Sequence, residues 1–192
     1  NIATSGAGAV GLMASDRNET GSGGAITVNG ALTVSTQAAY GYDAFASGAG
    51  SKIALNAATT LNVGAGSFGL YATGGGAIST AGDLTINAAS AGFGGGVEAD
   101  SGSSITLGGP STINLTSTHL VGVFAAGGAI TSTAALTVNA GANSGVVVQN
   151  GGTFSATGAL NISTSGAGAH GLYVADAGSG AELMGPVTIR SE

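Results

Sequence analysis

Side chains able to do acid–base or metal chemistry are sparse in this chain. There are nine carboxylates, at Asp16, Glu19, Asp43, Asp83, Glu98, Asp100, Asp176, Glu182 and Glu192. Against them stand three cations, Arg17, Lys52 and Arg190, and two histidines, His119 and His170. Glycoside hydrolysis needs two carboxyls within about 10 Å of each other, and Ca²⁺ needs roughly six to eight oxygen ligands. Close pairs along the chain are Asp16 with Glu19 and Glu98 with Asp100, and neither has a third acid beside it. The nine-residue Ca²⁺ repeat GGxGxD is absent. With no Cys, disulfides and thiolate metal sites are excluded. The two histidines each precede a short apolar segment and read as solvated corner residues. Glycosylation acceptor patterns at Asn18, Asn114 and Asn161 fit chance in so Asn- and Thr-rich a chain. No catalytic, cofactor-binding or metal-binding residue is assigned, and no cofactor is implied.

Composition says what scaffold must position these groups. Of 192 residues, 38 are Gly and 2 are Pro; only 6% are charged, yet 43% are hydrophobic. That is too apolar for a solvated disordered linker. Apolar residues come in twos and threes, so no transmembrane helix is expected, and no basic, apolar leader opens the chain. A net charge of −6 argues against a nucleic-acid partner, since such affinity comes from Lys and Arg on phosphates.

The chain repeats itself. "NIATSGAGAVGLMA" at Asn1 returns as "NISTSGAGAHGLYV" at Asn161, identical at ten of fourteen positions. Along the chain run apolar–polar–apolar triplets: Leu32-Thr33-Val34, Leu61-Asn62-Val63, Leu84-Thr85-Ile86, Ile113-Asn114-Leu115, Leu136-Thr137-Val138, Leu160-Asn161-Ile162 and Val187-Thr188-Ile189. Their steps are 29, 23, 29, 23, 24 and 27 residues. A second motif begins at Ile26, Ile53, Ile78, Ile105, Ile130 and Phe154, and is least clear around Leu183. A third follows Gly-rich bends, as in "GLYA" at Gly69 and "GVFA" at Gly122. Seven units of about 26 residues with three short segments each are the sign of a solenoid.

Period-two triplets bounded by Gly, Asn and Ser read as very short strands, and the Gly content disfavours helix. One such strand buries nothing alone; stacked on its counterpart one coil later, it does. The expectation is an all-β, parallel β-helix, with Leu32, Leu61, Leu84, Ile113, Leu136, Leu160 and Val187 in one buried column. Val34, Val63, Ile86, Leu115, Val138, Ile162 and Ile189 would form the next. Full burial of each contributes roughly 1.5–3 kcal/mol.

Gly/Ala/Ser/Thr/Asn-rich coils with "LTV" and "GAIT" segments, no Cys and few charges resemble the passenger domains of bacterial type V autotransporters. The resemblance covers the whole chain and implies a single-stranded right-handed parallel β-helix, exported across the outer membrane to the cell surface or released. It implies a non-catalytic adhesin or structural stalk, with a host-surface or matrix ligand, or another copy of itself, as partner. Residues 1–192 then read as one solenoid segment cut from a longer passenger, with neither cap nor membrane barrel visible. Parallel β-helices also include carbohydrate-active enzymes and tailspike-like polysaccharide binders, and a fibre-forming solenoid is a third reading.

Two surface features are singled out. Alternation in the third motif points Met13, Phe45, Tyr71, Glu98, Phe124, Val147 and Tyr173 outward, so Met13, Phe45, Tyr71, Phe124, Val147 and Tyr173 form a candidate interaction stripe. The long first bend carries "SDRNET", whose Asp16, Arg17, Asn18 and Glu19 form a candidate recognition loop. A third feature is the outward row Thr33, Asn62, Thr85, Asn114, Thr137, Asn161 and Thr188. Ice-binding solenoids resemble it only partly, for they show two parallel Thr columns and a stricter period. Here the steps vary and Thr alternates with Asn, so an external hydrogen-bonded ladder is expected.

Overall fold

The structure, a computed structural model, describes residues 1–17, 21–37, 39–89 and 92–192. Each coil of the chain lays one short strand on each of three sheets in turn. Sheet A has eight strands, from Ile2–Thr4 to Val187–Ser191; sheets B and C have seven each. Sheet B runs from Val10–Ser15 to Leu172–Val174 and sheet C from Ala25–Val28 to Gly180–Leu183. Every strand pairs in parallel with its counterpart one coil on. This is a three-sided parallel β-solenoid, as the repeats require.

The interior is a stack of aliphatic columns. Sheet C contributes Ile26, Ile53, Ile78, Ile105, Ile130 and Phe154, in register. The column ends on Ala181, with Leu183 in the next one, which is why the last repeat of this motif was faint. Sheet B contributes Leu12, Ala44, Leu70, Val97, Val123, Val146 and Leu172, as expected.

Sheet A pairs differently from the expected columns. Val34 stacks on Leu61, not on Val63, and Leu61 on Ile86. The buried column is Ile2, Val34, Leu61, Ile86, Ile113, Val138, Ile162 and Ile189. Leu32 has Thr59 as its neighbour, and Leu84 has Ser111. A slip of two residues leaves inward and outward faces unchanged, so triplets alone cannot reveal it. Thr59 and Ser111 are buried because each hydroxyl donates to its own backbone, at Ala57 O (3.0 Å) and Gly109 O (3.0 Å). From Val34 the true steps are 27, 25, 27, 25, 24 and 27 residues, far more even than the triplets suggested.

The correction also sorts the outer face. Instead of one alternating row, sheet A carries a column of Thr33, Thr60, Thr85, Thr112, Thr137, Asn161 and Thr188. Beside it runs Ser35, Asn62, Asn87, Asn114, Asn139, Ser163 and Arg190. In that second column Asn62 Nδ2 donates to Ser35 Oγ (3.0 Å). Asn87 donates to Asn62 (3.1 Å), Asn114 to Asn87 (3.0 Å) and Asn139 to Asn114 (2.8 Å).

Sheets A and B meet tightly where Gly11, Gly69, Gly96, Gly122, Gly145 and Gly171 share one column. A Cβ at Gly122 would run into Val138 Cγ1 and the Gly145 carbonyl. The second coil breaks the rule with Asp43, which is fully buried. Its coil has Leu61 where the others have Val or Ile, so the β-branch that fills this space elsewhere is missing.

Candidate functional site

The candidate interaction stripe lies where alternation put it. Met13, Phe45, Tyr71, Glu98, Phe124, Val147 and Tyr173 are neighbours along the outer face of sheet B. Its members are not equally available, however. Met13 and Tyr173 are exposed at the two ends, whereas Phe124 is only 7% exposed.

Further rings bind the stripe into one layer. Phe45 stacks on Tyr71 with centroids 5.3 Å apart, and Tyr42 lies 5.1 Å from Phe45 and 4.8 Å from Tyr71. Phe68 approaches Tyr71 at 6.3 Å; Phe93 then meets Phe68 edge-on at 6.0 Å and Phe124 at 5.9 Å. Such offset and edge contacts each add about 0.5–1.5 kcal/mol beyond area burial. The sequence reading missed Tyr42 and Phe68 because it assumed strict alternation. Asp43 and Ala44 both face inward, so the ring three residues before the stripe, not two, shares its face. The recurrence of an aromatic at that spacing in Tyr42/Phe45 and Phe68/Tyr71 was the available signal.

Within this layer Glu98 sits between Tyr71 and Phe124. Burial among the rings, with Asp100 as the lesser cause, pushes its carboxyl up to about 7. Asp100 accepts a hydrogen bond from the Tyr71 hydroxyl at 2.7 Å. Burial raises the Tyr42 hydroxyl too, and Glu98 and Asp100 add to it. One strand thus carries two carboxyls with different surroundings, one pressed among rings and one tied to a phenol.

At the corner leading into sheet B, Tyr40 and Phe93 wall a groove of about 350 Å³, lined by Ala39, Ala65, Gly66 and Gly92. These rings are 75% and 63% exposed. Tyr40 takes φ of 62°, a left-handed conformation that Gly8 and Gly66 adopt at the same bend of neighbouring coils. For a non-Gly residue this costs about 1–2 kcal/mol. Its ring lies over Gly66, where a Cβ would come within 3.3 Å of it.

No family model, curated protein or solved structure matches this chain. The site therefore stands on its own geometry.

Of the recognition loop, Asp16 and Arg17 are described, while Asn18 and Glu19 lie outside the described residues. Asp16 Oδ2 accepts from the Gly21 amide at 2.7 Å, which ties the two ends of the bend together. His170 and Tyr173 meet edge-on at 5.0 Å, and His119 occupies its corner with φ of 65°. Among the described residues no three His, Asp or Glu side chains gather where one metal ion could be held.

Proposed function

We propose that this chain is part of a non-catalytic, autotransporter-like rod, an adhesin or stalk at a bacterial surface or secreted from it. It docks a surface or matrix ligand, or another copy of itself, through the aromatic layer of sheet B. The supporting observation is the run of five rings, Tyr42, Phe45, Phe68, Tyr71 and Phe124, outside the aliphatic core, edged by exposed Tyr40 and Phe93. Phe68 and Phe124 are buried within the layer, while Tyr40 and Phe93 present their rings to solvent, as an interaction site would. Among the described residues no helix is long and apolar enough to cross a membrane.

Sedimentation velocity over a hundredfold concentration range tests the self-docking form, and binding to host-matrix preparations tests the ligand form. Tyr40→Ser and Phe93→Ser, both at exposed rings, should abolish association or binding. Unchanged behaviour in both assays would leave the rings a merely covering role, and filament growth would favour the fibre-forming reading. A second reading, a carbohydrate-active solenoid, draws on Glu98 and Asp100 sharing one face with different surroundings. Release of reducing sugar from polysaccharides, lost in Glu98→Gln, would favour it.

A further inference from the structure

The outer face of sheet A is the most regular surface of the molecule, and the aromatic layer plays no part in it. Four consecutive rungs present the same pair, Thr60 with Asn62, Thr85 with Asn87, Thr112 with Asn114 and Thr137 with Asn139. All four threonines are partly exposed, and among the described residues their hydroxyls make no hydrogen bond. Their χ1 angles are stiffened by β-branching. The asparagine amides are held by the ladder, each donating one N–H to the rung before it. The ladder leaves the second N–H of each amide unused. These eight side chains therefore lose little freedom when they meet a ligand, which is the main cost of binding through polar groups.

No charged side chain stands on these four rungs. A charged ligand finds no counter-charge here, and a protein partner finds no aromatic or Arg anchor of the kind that dominates interfaces. What the face offers is a neutral, two-dimensional grid. Rungs repeat at about 4.8 Å and the two columns stand about 6.6 Å apart along the strand. Tetrahedral water with an O···O distance of about 2.75 Å has second neighbours about 4.5 Å apart and a perpendicular repeat of about 7.3 Å. Both spacings agree within about a tenth. A single polymer chain could follow the grid in one direction only.

We propose that the outer face of sheet A binds ice, with the threonine and asparagine columns carrying a layer of ordered water into register with the crystal. The test uses the 192-residue chain and ice itself. The protein should partition into a slowly growing ice hemisphere and facet ice crystals near their melting point. Thr112→Tyr places a bulky ring at the centre of the grid, at a position where Tyr suits a strand. It should reduce partition to that of a non-binding control protein while far-UV circular dichroism stays unchanged. Thr85→Val, which removes one hydroxyl and keeps the shape, should weaken partition less. Phe93→Ser, on sheet B, should leave it intact. Absence of partition and faceting in the parent chain would overturn the proposal. So would full retention by Thr112→Tyr, or capture by insoluble cellulose or chitin without any uptake into ice.

Discussion

Tyr71 donates its hydroxyl hydrogen to Asp100 Oδ2 at 2.7 Å, reaching from one coil to the next across the outer face of sheet B. The other oxygen of Asp100, Oδ1, is buried and has no hydrogen-bond partner among the described residues. This one bond therefore carries much of the polar satisfaction of the carboxylate. Hydrogen bonds to charged groups contribute about 1.5–3 kcal/mol. Tyr71→Phe keeps the ring stack on Phe45 and removes only the hydroxyl, so urea unfolding should show a loss of about that size. Tyr173→Phe, on an exposed ring at the far end of the stripe, should cost almost nothing. Equal, negligible losses would mean that Asp100 is satisfied by solvent.

Stability should fall as the pH rises from mildly acidic to mildly basic. Burial pushes Asp43 from 3.8 up to about 7, and hydrogen bonding from the Thr36 side chain and backbone offsets only part of the effect. Glu98 is raised from 4.5 to about 7 by burial and then by Asp100. Between roughly pH 4 and 7 the folded state holds protons that the unfolded chain has released. The favourable contribution is complete below the unfolded values and is lost as the pH climbs through about 7. Asp43→Gly restores the glycine of the other coils and should flatten the larger part of this slope. At pH 8 it should stabilise by about 2–4 kcal/mol, the scale set by a shift of about three pH units. Glu98→Gln, at a partly solvated site, should remove a smaller part. Unfolding midpoints at pH 5 and pH 8 for the three proteins decide this, and a flat profile in the parent chain would refute it.

What was legible in the sequence was periodicity, and what was not was phase. Uniform columns such as Leu12 to Leu172 in sheet B show themselves because a single residue class recurs after every bend. In sheet A the buried column passes through a triplet's last residue at Val34 and its first at Leu61. Thr59 takes another inward place of that coil, beside Leu61 and Val63, and the backbone satisfies its hydroxyl locally, so no composition rule marks it as interior. The aromatic layer was half legible for a related reason. Phe45 and Tyr71 obey alternation, whereas Tyr42 and Phe68 depend on two consecutive inward residues, which sequence alternation forbids. Phe93 joins from a bend, where no periodic rule operates.

The asparagine ladder should add to stability as well as to surface order. Asn87 donates to Asn62 and accepts from Asn114, so Asn87→Ala breaks two hydrogen bonds at once. A typical bond contributes about 0.5–1.5 kcal/mol net, and these side chains are half-buried, so a loss of about 1–2 kcal/mol is expected. Ser35→Ala, at the start of the ladder, breaks one bond and should cost about half as much. If the two substitutions cost the same, the amides are exchanging freely with water rather than with each other.

The glycine column between sheets A and B should tolerate side chains poorly. At Gly122 the space for a Cβ is already taken by Val138 Cγ1 and by the carbonyl of Gly145 on the next coil. Neither can retreat without opening the contact between sheets A and B. Overpacking a closed core costs about 1–3 kcal/mol, and here backbone as well as side chain would have to move. Gly122→Ala should therefore lower the urea midpoint clearly. Gly6→Ala, on an open bend where a Cβ meets nothing within 4 Å, should leave it unchanged or raise it slightly through the unfolded chain. Gly122→Ala combined with Val138→Ala, which clears the obstructing methyl, should cost less than the two single changes added together. Strict additivity would show that the column tolerates side chains and that its glycines answer to some other constraint.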